Sequence, residues 1–120
     1  MKYLCLIYVV EKKLAQMSAD EMDAVARECA AHTEALSAAG RYIAGERLES
    51  VDVATTVRHA NGKPVITDGP FAETREQLAG FYLIDAPDLD EAIRIAEHIP
   101  PGRLGCIEVR PVMADKESTS

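Results

Sequence analysis

Thr67-Asp68-Gly69-Pro70-Phe71-Ala72-Glu73-Thr74, followed after Arg75 by Glu76-Gln77-Leu78-Ala79-Gly80-Phe81-Tyr82-Leu83-Ile84, turns a corner and runs straight into an apolar segment. Gly69 has access to backbone dihedrals closed to other residues, and Pro70 fixes its own φ while restraining Gly69. Asp68 is of the type that folds its carboxylate back onto nearby backbone N–H groups in turns. The stretch therefore predicts a defined, rigid corner holding a carboxylate and an aromatic ring, with a strand over Gly80 to Asp85 behind it.

Outward from the corner the chain shows two helices among several strands. Upstream, Val51 to His59 is rich in Val and Thr and predicts a strand. Asn61-Gly62 signals a hairpin into Pro64-Val65-Ile66-Thr67. Arg41 to Leu48 predicts a short strand interrupted by Gly45, and Tyr3 to Val9 a first strand that is apolar on both alternating faces. Between them, Ser18 and Glu21 form an S-x-x-E capping box that opens a helix. Met22, Val25, Ala26, Cys29, Thr33 and Leu36 line one face of that helix, and Gly40 stops it. Downstream, Thr74 and Gln77 are spaced to cap a single helical turn. A second helix opens at Asp88, with Leu89, Ala92, Ile93 and Ala96 on one face, and Pro100-Pro101 ends it. Cys106 to Val112 closes the series with Ile107 and Val109 on one face, Glu108 and Arg110 on the other.

That order predicts an α+β domain over residues 1–113: a ferredoxin-like antiparallel sheet with two helices on one face, and a polar, disordered tail over 114–120. Helices cover only one face of such a sheet, while strands 3–9 and 81–84 are apolar on both. A second copy of the chain is the simplest cover, so a homodimer with sheets face to face is expected, the lesser alternative being a monomer around a large apolar ligand.

A chain of 120 residues is one domain large enough for a core without disulfides or metal. Its net charge of -7 argues against nucleic-acid binding through a basic surface. Cys5, Cys29 and Cys106 are odd in number and widely spaced, which fits free thiols in a reducing cytoplasm. The apolar run Leu4 to Val10 ends at Glu11-Lys12-Lys13, too short to span a membrane. No Gly-rich phosphate loop, nucleophile elbow or metal-binding motif is present, so neither cofactor nor metal is expected.

The corner with its following strand, together with Asp88-Leu89-Asp90-Glu91-Ala92, Ile107-Glu108-Val109-Arg110-Pro111-Val112 and Met1-Lys2-Tyr3-Leu4, resembles the YCII-related family in its DGPF-domain branch, across about residues 1–113. The resemblance implies a dimeric α+β barrel. The resemblance also implies an enzyme or a protein of unknown role, and, because some DGPF relatives occur beside or fused to extracytoplasmic-function sigma factors, a sigma-factor-type partner. Smaller members carry a histidine on the first helix, paired with an aspartate as a dyad. By helix register the matching position here is Cys29, with His32 one turn further on.

The candidate residues carry paired expectations. Asp68 is a general base or substrate-binding carboxylate at a pocket mouth, or an Asx-type turn residue. Phe71 is a core anchor or a ring against a ligand. Glu73 pairs with Asp68 or is a solvated loop residue. His32, at the edge of its helix's apolar face, is an acid or base near neutral pH or a structural histidine. Cys29 reads as a packed thiol. Arg58, Glu108 and Arg110 line a polar pocket on a shared sheet face, or form edge ion pairs. The functional expectation is a cofactor-independent small-molecule enzyme in which Asp68, with His32, moves a proton, Phe71, Glu73 and Arg58 holding the substrate. The alternative is a non-catalytic ligand-binding or regulatory module.

Overall fold

Alternation along the first strand sets the frame. In β1 (Lys2–Val9), Tyr3, Cys5, Ile7 and Val9 are buried, while Leu4, Leu6 and Tyr8 between them are only half-buried. β1 lies at the middle of a four-stranded antiparallel sheet, flanked by β5 (Gln77–Asp85) and β6 (Gly105–Pro111), with β2 (Tyr42–Arg47) beyond β5. The order β2-β5-β1-β6 results from two crossovers that each skip one strand, the ferredoxin-like arrangement expected from the sequence. The computed structural model describes residues 1–114, so the expected tail lies outside the described residues from residue 115 onward.

α2 (Ala19–Ala38) and α3 (Leu89–Glu97) make the crossovers, each started by the cap its sequence encodes. The Ser18–Glu21 box closes in both directions, at 3.1 and 2.9 Å, and the Asp88 carboxylate accepts the Glu91 N–H at 2.9 Å. Gly40, at φ +72, releases the chain from α2. The core joins one face of the sheet to these helices through Leu36, Ala92, Ile95, Ala96 and Ile99. A short helix, α1 (Glu11–Ala15), has no counterpart in the sequence expectation. No helix among the described residues is long and apolar enough to cross a membrane.

Both long helices differ from their expected faces. In α3 two overlapping stripes compete, Leu89-Ala92-Ile93-Ala96 and Ala92-Ile95-Ala96, the latter continued by Ile99 just past the helix, and the sheet takes the second, leaving Leu89 and Ile93 exposed. In α2 only Leu36 is fully buried, and Met22 and Ala26 face solvent. The rest of the helix's inward face, Ala24, Val25, Cys29, His32 and Thr33, is half-buried.

Between β2 and β5 the chain builds a separate two-stranded arm, β3 (Thr55–Ala60) against β4 (Lys63–Asp68). Its turn has Asn61 and Gly62 both at positive φ, 53° and 78°, as the Asn-Gly signal requires. Val51–Val53, expected as strand, is a single 3₁₀ turn. The Ser50 hydroxyl accepts the Asp52 N–H, and the Glu11 carboxylate accepts both the Ser50 hydroxyl and the Val51 N–H. Thr74 and Gln77 cap no helical turn, because Gln77 already belongs to β5 and its amide oxygen accepts the Glu11 N–H at 2.9 Å. With helices on one side only, the described chain is a thin slab, 47 × 47 × 18 Å.

Candidate functional site

The corner is held by backbone and by β3, not by its aspartate. Gly69, at φ +98, donates its N–H to Ala54 O at 2.7 Å. The Thr56 hydroxyl donates to Gly69 O at 2.8 Å, and Arg58 Nη2 to Phe71 O at 2.6 Å. Among the described residues the Asp68 carboxylate accepts no hydrogen bond, so it is not the Asx tie its sequence context predicts. Cross-strand register puts Asp68 on the arm face that carries Thr55, Val57 and Ile66, all exposed. Phe71 is 71% exposed and anchors no core among the described residues, and Glu73 is solvent-facing. Arg58 belongs to the arm, so it shares no face with Glu108 and Arg110, which pair with each other on the main sheet.

His32 lies elsewhere, over the sheet. Its ring stacks on Tyr82 with centroids 6.2 Å apart, and Tyr42 meets Tyr82 edge-on at 5.6 Å. The hydroxyls of Thr33 and Tyr82 share a hydrogen bond at 3.2 Å. Nδ1 of His32 is buried without a partner among the described residues. Burial, and then the charge of His98, hold the imidazole below its ordinary pKa. Burial also pushes the Tyr82 phenol and the Cys29 thiol up, and Cys5 to about 11, so these thiols stay protonated. Cys29 is a packed thiol, as expected. The cluster is filled by side chains, and no hydrogen bond or ion pair among the described residues joins His32 to Asp68.

The open space lies at the end of the sheet where β1 leaves for α1 and β6 begins. A cleft of about 600 Å³ is lined by Tyr8, Val10 and Lys13 from one segment, Thr74, Arg75 and Glu76 from the foot of the corner, and Arg103, Gly105, Cys106 and Glu108 from the last. Its floor requires glycine, since a Cβ on Gly105 would stand 2.2 Å from Tyr8 O. The Cys106 thiol donates to Glu76 Oε2 at 3.1 Å, and that bond is the largest cause of the raised Cys106 pKa. Glu76 is half-buried. Arg103 is tied to Glu28 at 2.6 Å, and Glu108 to Arg110. A second cleft, about 370 Å³, lies along the edge strand β6 and is mostly apolar, with Ile93, Ile99, Ile107 and Val109 in its wall.

Of the residues singled out from sequence, Asp68, His32, Phe71, Glu73 and Arg58 do not line the larger cleft, whereas Glu108 does, as does Thr74, the last residue of the corner. The signals that could have located it are the charged pair Arg75-Glu76 behind the corner, and the alternation of β6. That alternation sets Cys106 opposite Tyr8 and Glu108 opposite Leu6. Among the described residues no group of three or more His, Cys, Asp or Glu is placed to hold a metal ion.

Residues 1–116 match the YCII-related domain. An uncharacterized protein of Rhizobium meliloti (strain 1021) is 40% identical over 114 residues, which span 93% of this chain and 92% of the relative.

Proposed function

The chain belongs to the YCII-related domain family, and from that premise we propose a cofactor-independent small-molecule enzyme, working as a homodimer, that moves a proton on a compact substrate in the cleft at the sheet end. The observation that carries this reading is the Glu76 carboxylate, half-buried in the wall of a cleft of about 600 Å³ and oriented there by the Cys106 thiol. A volume of that size fits a small metabolite. A carboxylate with one oxygen engaged and the other available is placed to act as general base. It would take a proton from a substrate carbon that bears a hydroxyl and adjoins a carbonyl, giving an enediolate. The proton returns to the former carbonyl carbon while the hydroxyl proton passes to the former carbonyl oxygen, so that the C=O moves one carbon along and no redox equivalent is needed. Cys106, kept as a thiol, supplies a hydrogen-bond donor to that carboxylate.

The homodimer is supported by the uncovered face of the sheet, where Leu4, Leu6, Phe81 and Leu83 remain half-exposed beside one another. Asp68, the base expected from sequence, lines neither of the two clefts, and within the homodimer it would reach a substrate only where the arm of one copy meets the cleft of the other. His32 then serves packing under Tyr82. The second reading, a ligand-binding or regulatory module with a sigma-factor-type partner, is favoured by the exposed Val57, Ile66 and Phe71 of the arm and corner.

The deciding experiment incubates the protein in D₂O with a panel of small oxo and hydroxy compounds and follows deuterium incorporation by NMR. The expected result is exchange at the carbon beside a carbonyl, lost in Glu76→Gln and retained in His32→Gln. Binding of a panel member without exchange in the wild type would leave the regulatory reading and end the enzymatic one.

A further inference from the structure

We infer that the cleft at the sheet end selects anions, holding a carboxylate or phosphate group of its ligand between Lys13 and Arg75. The inference rests on the reading above only in placing the ligand in this cleft; it adds the ligand's chemical class. Three cations and two carboxylates line the walls of a chain whose net charge is -7. Their commitments differ. Glu108 is neutralised by Arg110, and Arg103 is held by Glu28. Lys13 and Arg75 have no carboxylate within ion-pair distance among the described residues and donate no side-chain hydrogen bond there. Two unengaged cations thus face one carboxylate, Glu76, whose nearer partner is a neutral thiol.

The two cations reach the cleft from elements far apart in sequence, Lys13 from α1 and Arg75 from the segment behind the corner. Arg75 brings a planar fork that matches an oxyanion, and Lys13 a point charge. An anionic group seated between them would leave the remainder of a small ligand over Tyr8 and against Glu76. That places the head group beside Arg75, on the same wall segment as the proton-moving Glu76, with Lys13 reaching it from the segment that follows β1.

The test titrates inorganic phosphate and, separately, malonate into ¹⁵N-labelled protein, comparing the wild type with Lys13→Met, Arg75→Met and the control Lys12→Met, a neighbouring cation outside the cleft wall. Saturable shifts at the Glu76, Gly105 and Cys106 amides are expected, weakened about tenfold by either cleft variant and unchanged by the control. Preference between the two probes identifies phosphate or carboxylate as the group. Shifts spread over the surface, or equal losses in Lys12→Met, would overturn the inference, since diffuse charge would then explain the binding. Thermal melts confirm that each variant is folded. Anion binding without deuterium exchange keeps this inference and removes the enzymatic reading. Exchange on neutral carbonyl compounds that is indifferent to Lys13→Met and Arg75→Met does the reverse.

Discussion

Two β structures of the same chain have opposite fates. The main sheet buries every second residue of β1 and closes over Ile84, which is completely inaccessible, whereas every residue of β4 is exposed, Val65 and Ile66 included. β4 carries three β-branched residues in six and β1 only two in eight, so strand propensity would favour burial of the arm and does not explain the contrast. What differs is the layer available. The sheet has α2 and α3 across one face; the arm is a two-stranded ribbon on which none of the described residues covers Val57 and Ile66. An isolated two-stranded hairpin is marginal in water. The arm is held by its Asn-Gly turn and by the three hydrogen bonds that lace the corner to β3 and to Ala54 just before it.

The sharpest way to break this contrast is to make the same substitution in both places. Ile84→Ala should lose about 2–5 kcal/mol of stability, from lost burial and the cavity left behind. Ile66→Ala, 69% exposed, should stay within about 0.5 kcal/mol. Urea denaturation of the two variants at low protein concentration measures both; a large loss at Ile66 would mean that another chain covers the arm. Next in size is the effect of Leu6→Lys on the uncovered face of the main sheet. Light scattering should give about twice the 13.1 kDa chain mass for the wild type and the single-chain mass for the variant. A wild type already at the single-chain mass would remove the homodimer.

The smallest expected effect lies under the helices. Because folding depresses the His32 pKa, the unfolded chain takes up that proton first as pH falls. The histidine's contribution is therefore intact above its ordinary pKa near 6.5 and is lost progressively as pH drops toward the folded value. Urea midpoints measured between pH 7.5 and 5 should decline less in His32→Gln than in the wild type. Equal slopes would show that the buried Nδ1 carries no penalty on protonation.

Local signals in the sequence translated directly wherever one segment decides its own conformation. The capping box at Ser18, the Asp88 cap, the Asn-Gly turn and the alternation of Ile107 and Val109 with Glu108 and Arg110 all stand in the structure as their spacing predicts. Choices between equivalent local solutions did not translate. The stripe of α3 that meets the sheet, and the 3₁₀ turn at Val51, were settled by neighbours distant in sequence: the sheet in the first case and Glu11 in the second. The cleft was least legible, because its walls come from three separate segments and its charged residues, taken singly, look like solvated surface.

The amino-acid sequence by itself determined the α+β class, the helix starts, the hairpin and the corner, since each depends on dihedral limits and hydrogen bonds spanning a few residues. Only the tertiary structure decided that the corner's aspartate faces outward while its downstream neighbours Arg75 and Glu76 face a cleft. That outcome follows from sheet register: β6 brings Cys106 opposite Tyr8, and Gly105 lets the two backbones approach closely enough to form the floor. Register is a relation between strands, and no single strand contains it.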